Sequence, residues 1–228
     1  MSGFFITGTD TGVGKTLVTA ELLRAYDVKG VRAVGMKPVA AGLNLHEGEW
    51  INDDVLMLKS ASNAEVIHKM SSASINPYAL KRAIAPHIAA EQEGICIESE
   101  PILAAYHHIA AHAEVVLVEG VGGFKVPLSE TFDSAQLACA MNLPLILVVG
   151  MRLGCLNHAL LSVDSIRAHG LTLAAWVANV IDPEMSALEE NIAALDERIA
   201  APRLGTIPYL GDATSHAKSD VAAYLRLP

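Results

Sequence analysis

Cationic runs, paired cysteines and long apolar stretches are all scarce in this sequence, and each scarcity closes off a class of function. Lys and Arg total 16 against 25 Asp and Glu, a formal net charge of −9, and no local basic run interrupts that balance. A phosphate-backbone partner would need such a patch, so no nucleic-acid role is expected. Cys96, Cys139 and Cys155 are odd in number and widely scattered. They fit neither a disulfide framework nor a zinc site, and each is expected to be a buried small hydrophobe. No apolar run approaches the roughly 18 residues of a membrane span. The chain enters "FFITGT" without a basic segment, an apolar signal core or a cleavage site. A soluble, cytoplasmic protein with no membrane partner is therefore expected. Linker-like, repeated and low-complexity segments are missing too. With 228 residues, 52% hydrophobic and 18% charged, residues 1–228 read as one domain with a substantial core.

What is there is an alternation of strands and helices. "FFITGT" is a short buried-strand pattern, and "KTLVTAELLRAY" follows with Leu17, Leu22 and Leu23 at helical spacing. "VRAVGMKPV" reads as the next strand and residues 52–60 as a helix. In "SEPILAAYHHIAAH", Ser99 is expected to cap a helix whose Leu103, Tyr106 and Ile109 or Ala110 face inward. "AEVVLVEG" and "LPLILVVG" are continuous apolar runs, as strands covered on both faces require, and "LTLAAWVANVI" and "RLGTIP" add two more. The predicted fold is α/β: a three-layer, mainly parallel sheet with ligands at the carboxyl ends of its strands.

Between the first strand and helix lies "GTDTGVGKT", residues 8–16. Its small residues let backbone N–H groups wrap an anion, and the helix N-terminus adds its positive end. A P-loop NTPase-like site follows, with Gly12, Val13, Gly14, Lys15, Thr16 and Leu17 as nucleotide-binding residues, Lys15 on the β- and γ-phosphates and the Thr16 hydroxyl on Mg²⁺. The loop is one residue longer than the usual pattern, which carries four residues between the first glycine and the Gly-Lys pair. Asp10 and Thr11 at its tip can therefore lean over the γ-phosphate toward a second substrate.

Polar residues stand at several other strand ends. Lys37 ends "VGMK" and Pro38 stops the strand, which sets the lysine at the rim. Asp53 and Asp54 open a helix, where an aspartate usually caps. Glu119 follows four apolar residues in "LVEGVGG", so it needs a cation, and Mg²⁺ at Thr16 is the obvious one. Gly122 and Gly123 leave backbone N–H groups for a ligand. In "GMRLGCLNHALL", Gly154 permits a tight turn and Cys155, Leu156 and Asn157 offer helix-opening N–H groups as an anion site, although Asn157 can also be read as that helix's cap.

Taken together, "GTDTGVGKT", "MKPVAAG", "NDD", "NPY" with "APH", "VEGVGG", "GMRLGCLNHALL", "VANV" and "GTIPYL" resemble the dethiobiotin synthetase family in order and spacing across nearly the whole chain. The resemblance implies a homodimeric, ATP- and Mg²⁺-dependent cyclo-ligase of biotin biosynthesis. Such an enzyme builds the ureido ring of dethiobiotin from 7,8-diaminopelargonic acid and CO₂, through a carbamate and a carbamic-phosphoric anhydride. It implies Lys37 as principal catalytic lysine, Lys15 on the phosphates and Thr11 near the carbamate. Thr16, Asp54 and Glu119 become the Mg²⁺ ligands. Asn179 reads the adenine, with Pro208, Tyr209 and Leu210 closing over it. The turn at Gly154 to Asn157 becomes the receptor for the substrate's tail carboxylate, supplied by the neighbouring subunit.

Gly12 stands where some family members carry glutamate, and Ala41 where some carry serine near the substrate. Neither change removes a lysine or a metal ligand. The competing reading is a partition or septum-site type P-loop switch ATPase, whose loop carries an extra lysine that residues 9–11 lack. A glutamine-dependent cobyrinate-type synthetase would need a glutaminase domain for which 228 residues leave no room.

Overall fold

The continuous apolar runs become the inner strands of one parallel sheet. In this computed structural model, which describes residues 2–211 and 221–228, the sheet order is β10-β9-β8-β1-β7-β2. Its strands are β1 (Ser2–Gly8), β2 (Ala33–Met36), β7 (Val115–Glu119), β8 (Leu145–Met151), β9 (Leu173–Val180) and β10 (Arg203–Ile207). Every pairing among them is parallel. All seven residues of β8 and all five of β7 are buried, as strands covered on both faces must be.

Side-chain alternation divides the core between two faces. On one face Ile6, Leu117, Val148 and Val177 pack under α1 (Lys15–Val28) with Leu22 and Leu23. The other face holds Phe5, Val116 and Val118 beneath α6 (Ser99–Ala110) and α7 (Ser134–Met141). There too Leu147, Val149 and the fully buried Trp176 lie beneath α8 (Cys155–Ala168) and α9 (Leu188–Arg198). This is the expected three-layer α/β arrangement. Strand β1 lies between β7 and β8, so the order reverses beside it, and the loop after β1 opens at that switch point.

The stretch read as one strand over "VRAVGMKPV" is broken at Lys37 and Pro38. The residues after it, β3 (Val39–Ala41), pair instead with β6 (Tyr78–Leu80). A hairpin of β4 (Asn44–His46) and β5 (Glu49–Ile51) leads into α2 (Asp53–Ala61). The short helices α3 (Ala64–Ile67) and α4 (Ser72–Ile75) precede β6, and α5 (Pro86–Gln92) follows it. In α6 the cap position belongs to Glu98, and Ser99 is the first helical residue without a capping role. Ile102 takes the fully buried position expected for Leu103, which is only partly covered. Of the three cysteines, Cys155 is buried, Cys139 half-buried and Cys96 exposed. Among the described residues no helix is long and apolar enough to cross a membrane.

Candidate active site at the strand ends

The phosphate loop is held from inside by its one large apolar residue. Val13 is 1% exposed and packs where any side chain at Gly8 or Gly150 would collide with it, at 2.7 and 2.8 Å from an added Cβ. Its carbonyl accepts a 2.9 Å hydrogen bond from the Asn179 amide nitrogen. Gly14 then turns into α1 at φ +89°, where an added Cβ would stand 2.2 Å from that same nitrogen. Only glycine meets both demands. No side chain caps α1, so its first-turn N–H groups stay available to an anion, which is the fit a triphosphate needs.

A cavity of about 710 Å³ opens in front of this loop. One wall is the loop itself with Lys15, Thr16 and Thr11, and the other carries Lys37, Asp54 and Glu119. Ala41 and residues 83–86, together with Val121, Gly122 and Gly123, extend it beyond the phosphate position. A second cavity of about 280 Å³ contains Asn179, Pro208, Tyr209, Leu210 and Leu17. Gly12 and Gly14 line both, so the two cavities adjoin at the loop, with Asn179 in one and Lys37 in the other.

Local sequence explains how the far wall is built. The Lys37 N–H donates to Ile75 (2.9 Å), and its carbonyl accepts from the Asn76 side chain (2.7 Å). The Asn of "NPY" therefore fixes the lysine's backbone after β2 ends. Asn52, rather than either aspartate, caps α2 by accepting from the Asp54 N–H at 3.0 Å. Its amide also donates to the Gly42 carbonyl at 2.7 Å, tying the end of β3 to the turn that carries Asp54. The Asn before an acidic pair was the available signal for this cap, and the expectation of an aspartate cap gives way to it.

The charges on this wall are tightly paired. Lys37, 4% exposed, donates to Glu119 Oε1 at 2.6 Å and also to Asp54 Oδ2. The Thr16 hydroxyl donates to the same Glu119 oxygen at 2.8 Å. Burial works against the Lys37 ammonium, but Glu119 and Asp54 outweigh it and hold its pKa above the usual lysine value. Asp54 is the converse case: burial opposes its charge, yet Lys37 keeps its carboxyl below the ordinary range. Lys15 has no direct carboxylate partner among the described residues, and its ammonium donates to the Asp10 carbonyl at 2.9 Å. Burial dominates there and lowers its pKa to about 8.

Glu119 is fully buried, and its second oxygen has no partner among the described residues. A buried carboxylate oxygen left open beside a hydroxyl and a second carboxylate is an all-oxygen set that suits a hard divalent cation.

The turn at 154–157 lines neither of these cavities. Gly154 turns at φ +93° and heads α8, and the Cys155 N–H donates to the Arg152 carbonyl at 3.0 Å, so it is not free for a ligand as expected. Asn157 lies inside the helix and is not its cap. Sequence reading also passed over Arg152, whose guanidinium bonds Asp10 at 2.5 Å. Its signal was a lone cation immediately beyond the carboxyl end of β8.

Comparison with known proteins adds to this geometry. The AAA domain family (AAA_26) matches residues 2–217. The ATP-dependent dethiobiotin synthetase BioD of Aromatoleum aromaticum is 51% identical over 225 residues, covering 99% of this chain and 97% of that protein. Its namesake from Nitrosospira multiformis is 52% identical, covering 91% of this chain and 88% of the relative. Among solved structures, a ParA family ATPase from Chlorobium tepidum superposes with a TM-score of 0.59 at 14% identity, covering 98% and 96% of the two chains. The septum site-determining protein MinD from Pyrococcus horikoshii gives 0.58 at 17%, covering 97% and 92%. At such identities these two structures share the fold, and they lend nothing to the switch-ATPase reading.

Proposed function

The chain belongs to the ATP-dependent dethiobiotin synthetases, which are cyclo-ligases, and from that premise we propose that its larger cavity holds the carbamate of 7,8-diaminopelargonic acid against the γ-phosphate of ATP. The observation that carries this reading is the shape of that cavity. Its loop wall suits a triphosphate, its far wall carries a buried lysine, and it continues past both to Ala41 and Gly122 with room for a second substrate.

Each residue then has a part. The first-turn N–H groups of α1 and Lys15 hold the β- and γ-phosphates, and Asn179 with Pro208, Tyr209 and Leu210 receives the adenine. One amine of the diamine takes up CO₂ as a carbamate. Lys37 and the Thr11 hydroxyl hold its anionic oxygens toward the γ-phosphorus. A carbamate oxygen attacks that phosphorus and ADP leaves. The second amine closes on the carbamate carbon, and phosphate departs with the attacking oxygen. Neither lysine forms or breaks a covalent bond in these steps. They offset charge and fix distance, which is where phosphoryl transfer gains most of its rate. Thr16, Asp54 and Glu119 would hold Mg²⁺, and the open Glu119 oxygen supports that set; when bound, the ion neutralises phosphate charge. Lys37 is then shared less by the two carboxylates and more by the transferring group. Gly12 and Ala41 leave the two substrate positions they occupy to backbone groups and water.

The tail carboxylate of the diamine lies about six carbons from the amines, beyond the reach of the loop. We assign it to the Leu156 and Asn157 N–H groups at the turn of a second copy, in a homodimer. Three facts support this: the turn lies outside the two cavities described above, Leu153 beside it is 94% exposed, and Leu161 on the same helix is 60% exposed. Mixing Lys37→Ala chains with Gly154→Glu chains, each inactive alone and still dimeric, would restore one intact site per mixed dimer. Exchange without recovery of activity would assign the carboxylate site to the same chain. For the function itself, ATP turnover is measured with diaminopelargonate and bicarbonate present or omitted. A synthetase responds to the diamine, whereas an unchanged rate would remove this reading.

A further inference from the structure

The guanidinium of Arg152 and the Asp10 carboxylate it pairs with are charged groups at the loop tip to which the proposed mechanism gives no task. Arg152 follows β8 directly, and its side chain is 43% exposed. The Asp10 carboxylate joins two elements: one oxygen accepts from Arg152 Nη2 at 2.5 Å, and the other accepts from the Thr11 N–H at 2.7 Å. The carbonyl of the same residue accepts from the Lys15 ammonium at 2.9 Å. Asp10 lies in the stretch that makes this loop one residue longer than usual, so the added length is fixed at its carboxylate from two directions. The Arg152 carbonyl in turn accepts the Cys155 N–H, which ties the same residue to the first turn of α8.

A half-exposed ion pair of this kind contributes little to folding stability, because both charges keep much of their solvation. Its geometric consequence is larger. A loop of small residues with an extra link has more backbone freedom to restrict. The carbonyl that receives Lys15 and the N–H of Thr11 both belong to the segment the carboxylate fixes. We propose that Arg152 is a positioning residue for phosphoryl transfer: by holding Asp10 it sets the direction of Lys15 and Thr11 toward the γ-phosphate and the carbamate. This deepens the synthetase reading and rests on it.

The experiment uses full-length protein and first establishes diamine-dependent ATP turnover for the unaltered chain; its absence there would count against the function and not against Arg152. Arg152→Met keeps the aliphatic stem and removes the fork, Arg152→Lys restores the charge, and Asp10→Ala removes the partner. Arg152→Met is expected to lower kcat about tenfold with the KM for the diamine changed less than twofold and Tm unchanged. Arg152→Lys should recover kcat to within about threefold. The double variant Arg152→Met with Asp10→Ala should be no slower than the slower single variant, because one linkage has been cut twice. The proposal is overturned if Arg152→Met keeps kcat within twofold, or if the two losses multiply. It is equally overturned if the effect lies in the diamine KM alone, which would make the guanidinium a direct contact for the substrate's carboxylate. Should Arg152→Met fold poorly, the Arg152→Lys and Asp10→Ala pair supplies the same split, and equal kcat in both would reject the role.

Discussion

Lys15 lies on the loop wall of the cavity and Lys37 on the carboxylate wall, 6% and 4% exposed. Nearly equal burial moves their charges in opposite directions. Lys15, bonded to a neutral carbonyl, is lowered to about 8, whereas burial of Lys37 is overcome by Glu119 and Asp54 and its pKa rises. Depth alone therefore does not set a lysine's chemistry; the groups that share the burial do. The loop wall is backbone and glycine, preformed for an anion. The far wall is a compact ion cluster, which under the proposed function exchanges partners when substrates and a metal bind.

Removing Lys37 breaks this contrast most severely. Lys37→Ala is expected to reduce turnover by about 10³-fold or more while the nucleotide Kd shifts only slightly, since the loop wall is untouched. The Glu119 charge is left buried and uncompensated, so a stability loss of roughly 3–5 kcal/mol accompanies it. Saturating Mg²⁺ and nucleotide should recover part of that loss in a thermal melt. Turnover within about threefold of the original, roughly 0.7 kcal/mol of barrier, would take Lys37 out of the reaction.

Next in size are changes to the carboxylates themselves. Glu119→Gln and Asp54→Asn should each raise the Mg²⁺ concentration needed for half-maximal activity by about tenfold or more, because hard cations want charged oxygens. Superimposable metal titrations for both variants and the original chain would exclude these residues from the metal site.

The smallest effect separates the two lysines by pH. The Lys15 ammonium prevails below about 8 and is lost above it. If it holds phosphate as a cation, kcat/KM for ATP falls as pH rises through about 8, whereas Lys37 stays charged across that range. Bound phosphate favours the ammonium, so kcat should turn down only at higher pH. Lys15→Arg should lower the overall rate and remove the alkaline limb. A limb that persists in that variant belongs to another group.

Much of this arrangement is legible in the sequence because continuous apolar runs and a glycine loop each have one economical reading. Strands β7, β8 and β9 contain continuous apolar runs and β1 the shorter Phe4–Ile6, Glu119 stands where the β7 run stops, and Lys37 follows the end of β2. The hairpin of β4 and β5 escaped because its three-residue strands are mostly exposed and offer no period to read. The Asn52 cap could be read from an Asn before an acidic pair, but the bonds from the Asn52 and Asn76 amides to the Gly42 and Lys37 carbonyls join residues that only the fold brings close, and spacing carries no signal for them. The Arg152 to Asp10 contact spans 142 residues and joins two strand ends that sheet order alone makes neighbours.

The central claim is that a carbamate lies against the γ-phosphate in the larger cavity. Oxygen transfer from labelled CO₂ tests it most directly, in a single turnover fast enough to outrun exchange of the label with water. If a carbamate oxygen attacks the γ-phosphorus, the released phosphate carries one ¹⁸O atom and the ureido carbonyl keeps the other. Unlabelled phosphate, formed at the same rate as dethiobiotin, would contradict the account.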